Sequence, residues 1–121
     1  MRIAFVILAV LLVGCGGSAK PSAESVANVS LLNRAPVYPG AKAPTTTSGD
    51  AFASRDWTLP AGTRASRVID WYVTRLQAHG WKVLGKSFDT IRAKKPGATL
   101  SVGVRARTLE VIASGAVLST L

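Results

Sequence analysis

Six carboxylates, one histidine and one cysteine are all that 121 residues provide for acid–base, nucleophilic or metal chemistry. A single cysteine excludes an internal disulfide and a cysteine-rich zinc site. No Gly-x-Ser-x-Gly, no His-Glu-x-x-His and no pair of carboxylates on one element occurs, so no nucleophile–base pair is indicated. The chain therefore reads as non-enzymatic, with no catalytic, cofactor-binding or metal-ligating residue. Aromatic residues are also sparse, at 7%. They do not interleave with basic ones as a base-stacking platform requires, and nucleic acid is not expected as a partner.

Long apolar runs are missing too. The longest follows Met1-Arg2 and covers Ile3 to Val13 without a charge. Eleven residues suit the apolar stretch of a signal peptide, whereas a membrane-spanning helix needs about twenty. Arg2 supplies the positive residue that stays on the cytoplasmic side. No polar face interrupts the run, which argues against a buried core helix.

The run ends in Leu12-Val13-Gly14-Cys15, the site of the only cysteine. These four residues resemble the lipobox of bacterial lipoproteins: an aliphatic residue, a small or aliphatic one, Gly or Ala, then Cys. That resemblance implies cleavage before Cys15 and a diacylglyceryl group on its sulfur. Sulfur is the nucleophile that forms the thioether, and the small Gly14 gives a peptidase access to the bond. Two fatty chains anchor stably where one binds only marginally, at about 0.8 kcal/mol per buried methylene. The partner so implied is a membrane, reached through lipid on Cys15, with the protein facing the periplasm or the exterior. Gly16 in place of aspartate resembles the pattern passed on to the outer membrane in two-membrane bacteria. In a one-membrane cell the same anchor sits on the outer face of the cell membrane.

Residues 1–14 thus read as a lipoprotein signal peptide, 15–34 as lipidated cysteine and tether, and 35–121 as one small domain. A flexible tether of about 20 residues spans roughly 25 Å. Within it, Ser22 to Leu32 has the pattern of a short helix, with Ser22 as cap and Val26, Val29 and Leu32 on one side.

In the domain, Pro39-Gly40 and Pro96-Gly97 each suit the centre of a type II turn. Thr45 to Asp50 reads as a polar loop, and Ala51 to Leu59 as a strand. Thr63 is placed to cap a helix from Arg64 to Ala78, whose apolar stripe runs through Ala65, Val68 or Ile69, Tyr72, Val73 and Leu76. Gly80 and Trp81 then fit a Schellman ending, with Trp81 packed on Leu76, and His79 stands at the helix C-terminus, where a cation is favoured. Short strands follow, including Leu100, Val102 and Val104 alternating with Ser101, Gly103 and Arg105. The order predicts an α+β domain of two layers, one main helix packed on a mostly antiparallel sheet of four to five strands. Trp57, Tyr72, Leu76 and Trp81 are expected in its thin core.

Val37-Tyr38-Pro39-Gly40-Ala41-Lys42, Trp57-Thr58-Leu59-Pro60, Val68-Ile69-Asp70-Trp71-Tyr72 and Leu76 followed by Gly80-Trp81 together resemble a recurrent domain of small bacterial lipoproteins with no assigned activity. A weaker, topological likeness is to lipoprotein accessory subunits of the outer-membrane protein assembly machinery. These landmarks are turns, a helix and core aromatics, so they imply a fold and no activity.

What the sequence has in excess is positive charge, fifteen Lys+Arg and a net +9. Loss of the leader removes Arg2 and leaves fourteen basic residues against six acidic, a net +8. Arg92, Lys94 and Lys95 lie close together, and Arg105 and Arg107 follow in a later turn. On antiparallel neighbours these five are expected to merge into one positive edge, a candidate patch for an anionic partner. At a cell surface that partner is an anionic envelope polymer, lipid headgroups or an acidic envelope protein. The competing reading is that the charges keep a tethered domain soluble and guard its strand edges.

Overall fold

Alternation in the last third of the chain builds the centre of the sheet. In the computed structural model, which describes residues 22–116, Leu100, Val102 and Val104 are buried on one side of strand β5 (Ala98–Arg105). Leu109, Val111 and Ala113 do the same on β6 (Thr108–Ser114), and Ile91 and Ala93 on β4 (Thr90–Lys95). With β1 (Lys42–Ser48), β2 (Phe52–Thr58) and β3 (Lys82–Lys86) these form one six-stranded antiparallel sheet in the order β1-β2-β6-β5-β4-β3. Two helices, α1 (Ala23–Arg34) and α2 (Ala65–Ala78), cover one face, α1 over β2 and β6 and α2 over β3 to β5. Among the described residues no element covers the other face.

The α+β, two-layer, antiparallel expectation holds, while the counts differ: two helices rather than one, and six strands rather than four or five. The added strand is β1. It occupies most of the segment read as a polar loop, and every residue in it is exposed. The leader, Leu12, Val13, Gly14 and Cys15 lie outside the described residues, as does the stretch up to residue 21.

The second helix is α1, the short helix expected within the tether from Ser22 to Leu32; it runs on to Arg34 and packs on the sheet as part of the fold. Ser22 caps it, its Oγ accepting from the Ser25 N–H at 3.0 Å. Its buried side is Ser25, Ala27, Asn28, Leu31 and Leu32, while Val26 is 45% exposed. Asn28 explains the rotation: fully buried, it accepts a hydrogen bond from the Ala116 N–H at 3.1 Å and ties the helix to the end of β6. The bond satisfies a buried backbone donor, while Asn28 Nδ2 stays buried without a partner among the described residues. α1 thus packs over β2 and β6 together with the rest of the described fold.

α2 behaves as its spacing implies. Val68, Ile69, Tyr72 and Leu76 are buried. Its end is a Schellman motif, with Trp81 N–H donating to Leu76 O at 2.9 Å and Gly80 N–H to Gln77 O at 3.1 Å. Gly80 sits at φ +85°, where a Cβ costs about 1–2 kcal/mol. At the other end Thr63 does not cap. Its hydroxyl donates to Pro60 O at 2.7 Å, closing the turn through Gly62, and Arg64 stands at the cap position without a side-chain bond.

Tyr72 links the layers. It is 1% exposed, and its hydroxyl donates to Pro36 O at 2.9 Å. Burial pushes its phenol up from 10.0 to about 12, against a smaller opposing pull from the Tyr38 backbone. The native pKa thus lies above the unfolded one. Below pH 10 both states hold the proton; between 10 and 12 only the native state does, so stability falls as pH rises through that window. The slope is about 1.4 kcal/mol per pH unit. Urea unfolding measured from pH 9 to 12 is expected to show this loss. Tyr72→Phe should flatten that part of the profile while lowering stability at neutral pH by about 1 kcal/mol, because Pro36 O loses its donor.

Candidate functional site

The strand register decides what the basic residues can do together. Arg92 and Lys94 are exposed on the open face of β4, and Lys95 is half-buried at its end. Arg105 and Arg107 are exposed at the β5–β6 turn. Lys94 pairs with Thr99 at one end of β5, and Arg105 with Thr108 at the other. Arg92, which pairs with Ser101, stands four residues of strand, about 13 Å, from Arg105, and Lys94 six residues, about 20 Å, so these cations are spread along two central strands and do not line one edge of the sheet. Arg107 is held structurally besides. Its Nε donates to Leu59 O at 3.1 Å, and Leu59 N–H donates to Arg107 O at 2.7 Å, which pins the end of β2 to the turn.

Lys95 instead joins residues that the sequence does not bring together. The C-terminal ends of α1 and α2 converge beside the β4–β5 turn, leaving a cleft of about 340 Å³. Leu31, Trp81, Ala98 and Leu100 form its apolar floor, and Arg34, Arg75, His79 and Lys95 stand around it. Among the described residues no carboxylate lines it. The volume lies at the lower end of the range for small-ligand pockets.

Stacking and hydrogen bonding place these cations. The Arg75 guanidinium lies 4.9 Å from the Trp71 ring centroid, and Trp71 meets Tyr38 and Tyr72 edge-on at 5.5 and 4.9 Å. The Lys95 ammonium lies 5.2 Å from the Trp81 centroid. Each cation is thus steered by a ring face. His79 Nδ1 is 2.8 Å from Arg75 O. A carbonyl only accepts, so Nδ1 carries the proton and Nε2 is the nitrogen left for other contacts.

Cations at helix C-termini also offset the helix dipole. Each helix end carries about half a negative charge. Two such ends come to about one negative charge, against three permanent cations at Arg34, Arg75 and Lys95. The cleft therefore stays net positive by roughly two charges. It can hold a phosphate or carboxylate with a small apolar body against Trp81 and Leu100.

His79 was visible in the sequence as a helix-end residue, whereas Arg34 lay two residues past the expected end of its helix. Their convergence on Lys95 depends on the strand order, which no local signal carries. Among the described residues no three His, Cys, Asp or Glu side chains come together as a metal would need, and no helix is long and apolar enough to cross a membrane. Compared with known proteins, the chain matches no family model, no curated protein and no solved structure.

Proposed function

We propose that this chain is a lipid-anchored extracytoplasmic protein, joined to a membrane through a diacylglyceryl thioether on Cys15, whose domain is a non-enzymatic binding module. The cleft lined by Arg34, Arg75, His79 and Lys95 takes the anionic headgroups of the membrane that holds the anchor. The observation that carries this reading is the ring of cations, free of carboxylates, around an apolar floor.

The distances support it. Seven residues lead from Cys15 to the Ser22 cap. At about 3.5 Å per residue that chain reaches about 25 Å at most. A helix of 12 residues adds about 18 Å to the cleft at its far end. The domain is thus held near the headgroups, and its cleft can turn onto them.

The test uses the chain from residue 15 with Cys15→Ser, so that binding does not come from lipid. Floated with phosphatidylcholine vesicles containing phosphatidylglycerol, it is expected to bind at low salt and to be released at high salt. Each basic residue near such a surface is worth about 1 kcal/mol. Replacing Arg34, Arg75 and Lys95 together by alanine should therefore weaken binding roughly a hundredfold. Replacing Lys42, Arg64 and Arg67, which lie away from the cleft, removes the same charge and should cost less than about a tenth as much in affinity. Equal losses in both triple variants would reduce the effect to net charge. Absence of binding at low salt would remove the headgroup reading altogether.

A further inference from the structure

The open face of the sheet sets like charges side by side. Asp56 on β2 pairs directly with Glu110 on β6, and Lys82 on β3 pairs directly with Lys94 on β4. All four point away from the helices, since their strand neighbours Ala53, Leu109, Val111, Trp81 and Ala93 belong to the core. Directly opposed like charges destabilise a sheet. Among the described residues neither pair is joined in an ion pair, Asp70–Lys86 being the one formed, and Arg105 borders the same depression as Asp56 and Glu110 without closing on either. Asp56 Oδ1, moreover, is buried without a hydrogen-bond partner.

We propose that the open face docks a second copy of this chain, the acidic pair of each copy meeting the basic pair of the other. The register fixes the geometry. In strand order the acidic pair straddles β2 and β6 and the basic pair β4 and β3, so β5 lies midway between them. The row of Asp56 and Glu110 crosses β5 at Gly103, and the row of Lys82 and Lys94 crosses it at Thr99. Ser101 is therefore the midpoint in both directions.

A two-fold axis in the plane of the interface, passing over Ser101 and perpendicular to the line joining the pairs, exchanges acidic for basic. The pairs are offset by three strand spacings, about 14 Å, and four residues, about 13 Å. That line runs at about 45° to the strands, so the two sheets cross near a right angle, one of the two arrangements that packed sheets adopt. The surface suits close approach there. A broad depression of about 480 Å³, with Gly85, Ser101 and Gly103 in its lining and Ile112 at its side, occupies the middle of the face. The contact is isologous and closes on itself.

Charge reversal tests it, on the chain from residue 15 with Cys15→Ser, which keeps every described element. Sedimentation equilibrium at low salt is expected to show a monomer–dimer equilibrium that weakens at least tenfold at high salt. Glu110→Lys and Lys94→Glu should each weaken the dimer at least tenfold alone. Mixing those two variants should restore association as a heterodimer, and placing both changes on one chain should restore the homodimer. A chain that stays monomeric at low salt overturns the proposal. So does a dimer indifferent to the reversals, or one weakened by them and rescued by neither combination.

Discussion

Trp81→Ala is expected to lower the stability of the domain by about 3–5 kcal/mol, the cost of emptying a large core position. Trp81 is 7% exposed and follows the Gly80 turn, where the end of α2 meets the start of β3. Its backbone N–H to Leu76 O survives the substitution, so the loss comes from the ring. That ring belongs to the same core cluster as fully buried Leu76, forms part of the cleft floor and supports the Lys95 ammonium. A domain of this size holds about 5–15 kcal/mol in all, so one substitution takes a large share. Urea unfolding followed by far-ultraviolet circular dichroism measures the change. Trp81→Phe should recover more than half of it by refilling the volume. A loss below about 1 kcal/mol for the alanine variant would contradict a core role for the ring.

Cys15→Ser in the producing cell is expected to abolish lipid labelling completely. A serine hydroxyl does not replace the sulfur nucleophile, so no thioether forms and neither acyl chain is added. With about 0.8 kcal/mol per buried methylene, two chains make anchoring stable, and nothing in the described domain replaces them. Metabolic labelling with palmitate, followed by detergent-phase partitioning, reads the outcome. The wild-type chain should be labelled and partition with detergent. The variant should be unlabelled, and either retain its leader or leave the membrane fraction. Label persisting on the serine variant would place the modification elsewhere and remove the basis for the proposed location.

Elements carried by local, apolar signals were legible in the sequence. Leu100, Val102 and Val104 alternate because one side of β5 is buried, and Gly80-Trp81 announces a Schellman ending because each position has a conformational reason. Pro39-Gly40 and Pro96-Gly97 are turns with glycine at φ +94° and +78°. What stayed hidden lacked such a signal. β1 is fully exposed and contains Pro44, so it shows neither alternation nor a large apolar residue. α1 and its Ser22 cap were legible, but its buried face was not, because it includes polar Ser25 and Asn28, the latter bonded to distant Ala116. Thr63 was in place for a cap, but a nearer carbonyl at Pro60 took its hydroxyl. The cleft was the least legible feature. Its cations come from α1, α2 and the end of β4, and only the order of strands joins them.

The two outermost strands are both irregular. β1 carries Pro44, a positive φ of 54° at Ala43 and a register shift between Lys42 and Thr45; β3 carries Lys82, Gly85, Lys86 and a shift between Val83 and Gly85. Neither rim offers the straight, unpaired ladder on which further strands accrete. Molecules confined to a two-dimensional layer meet far more often than in free solution, which is the circumstance that favours runaway filament growth. Blunted rims let this fold be crowded at an interface without templating fibres, leaving only contacts that close upon themselves.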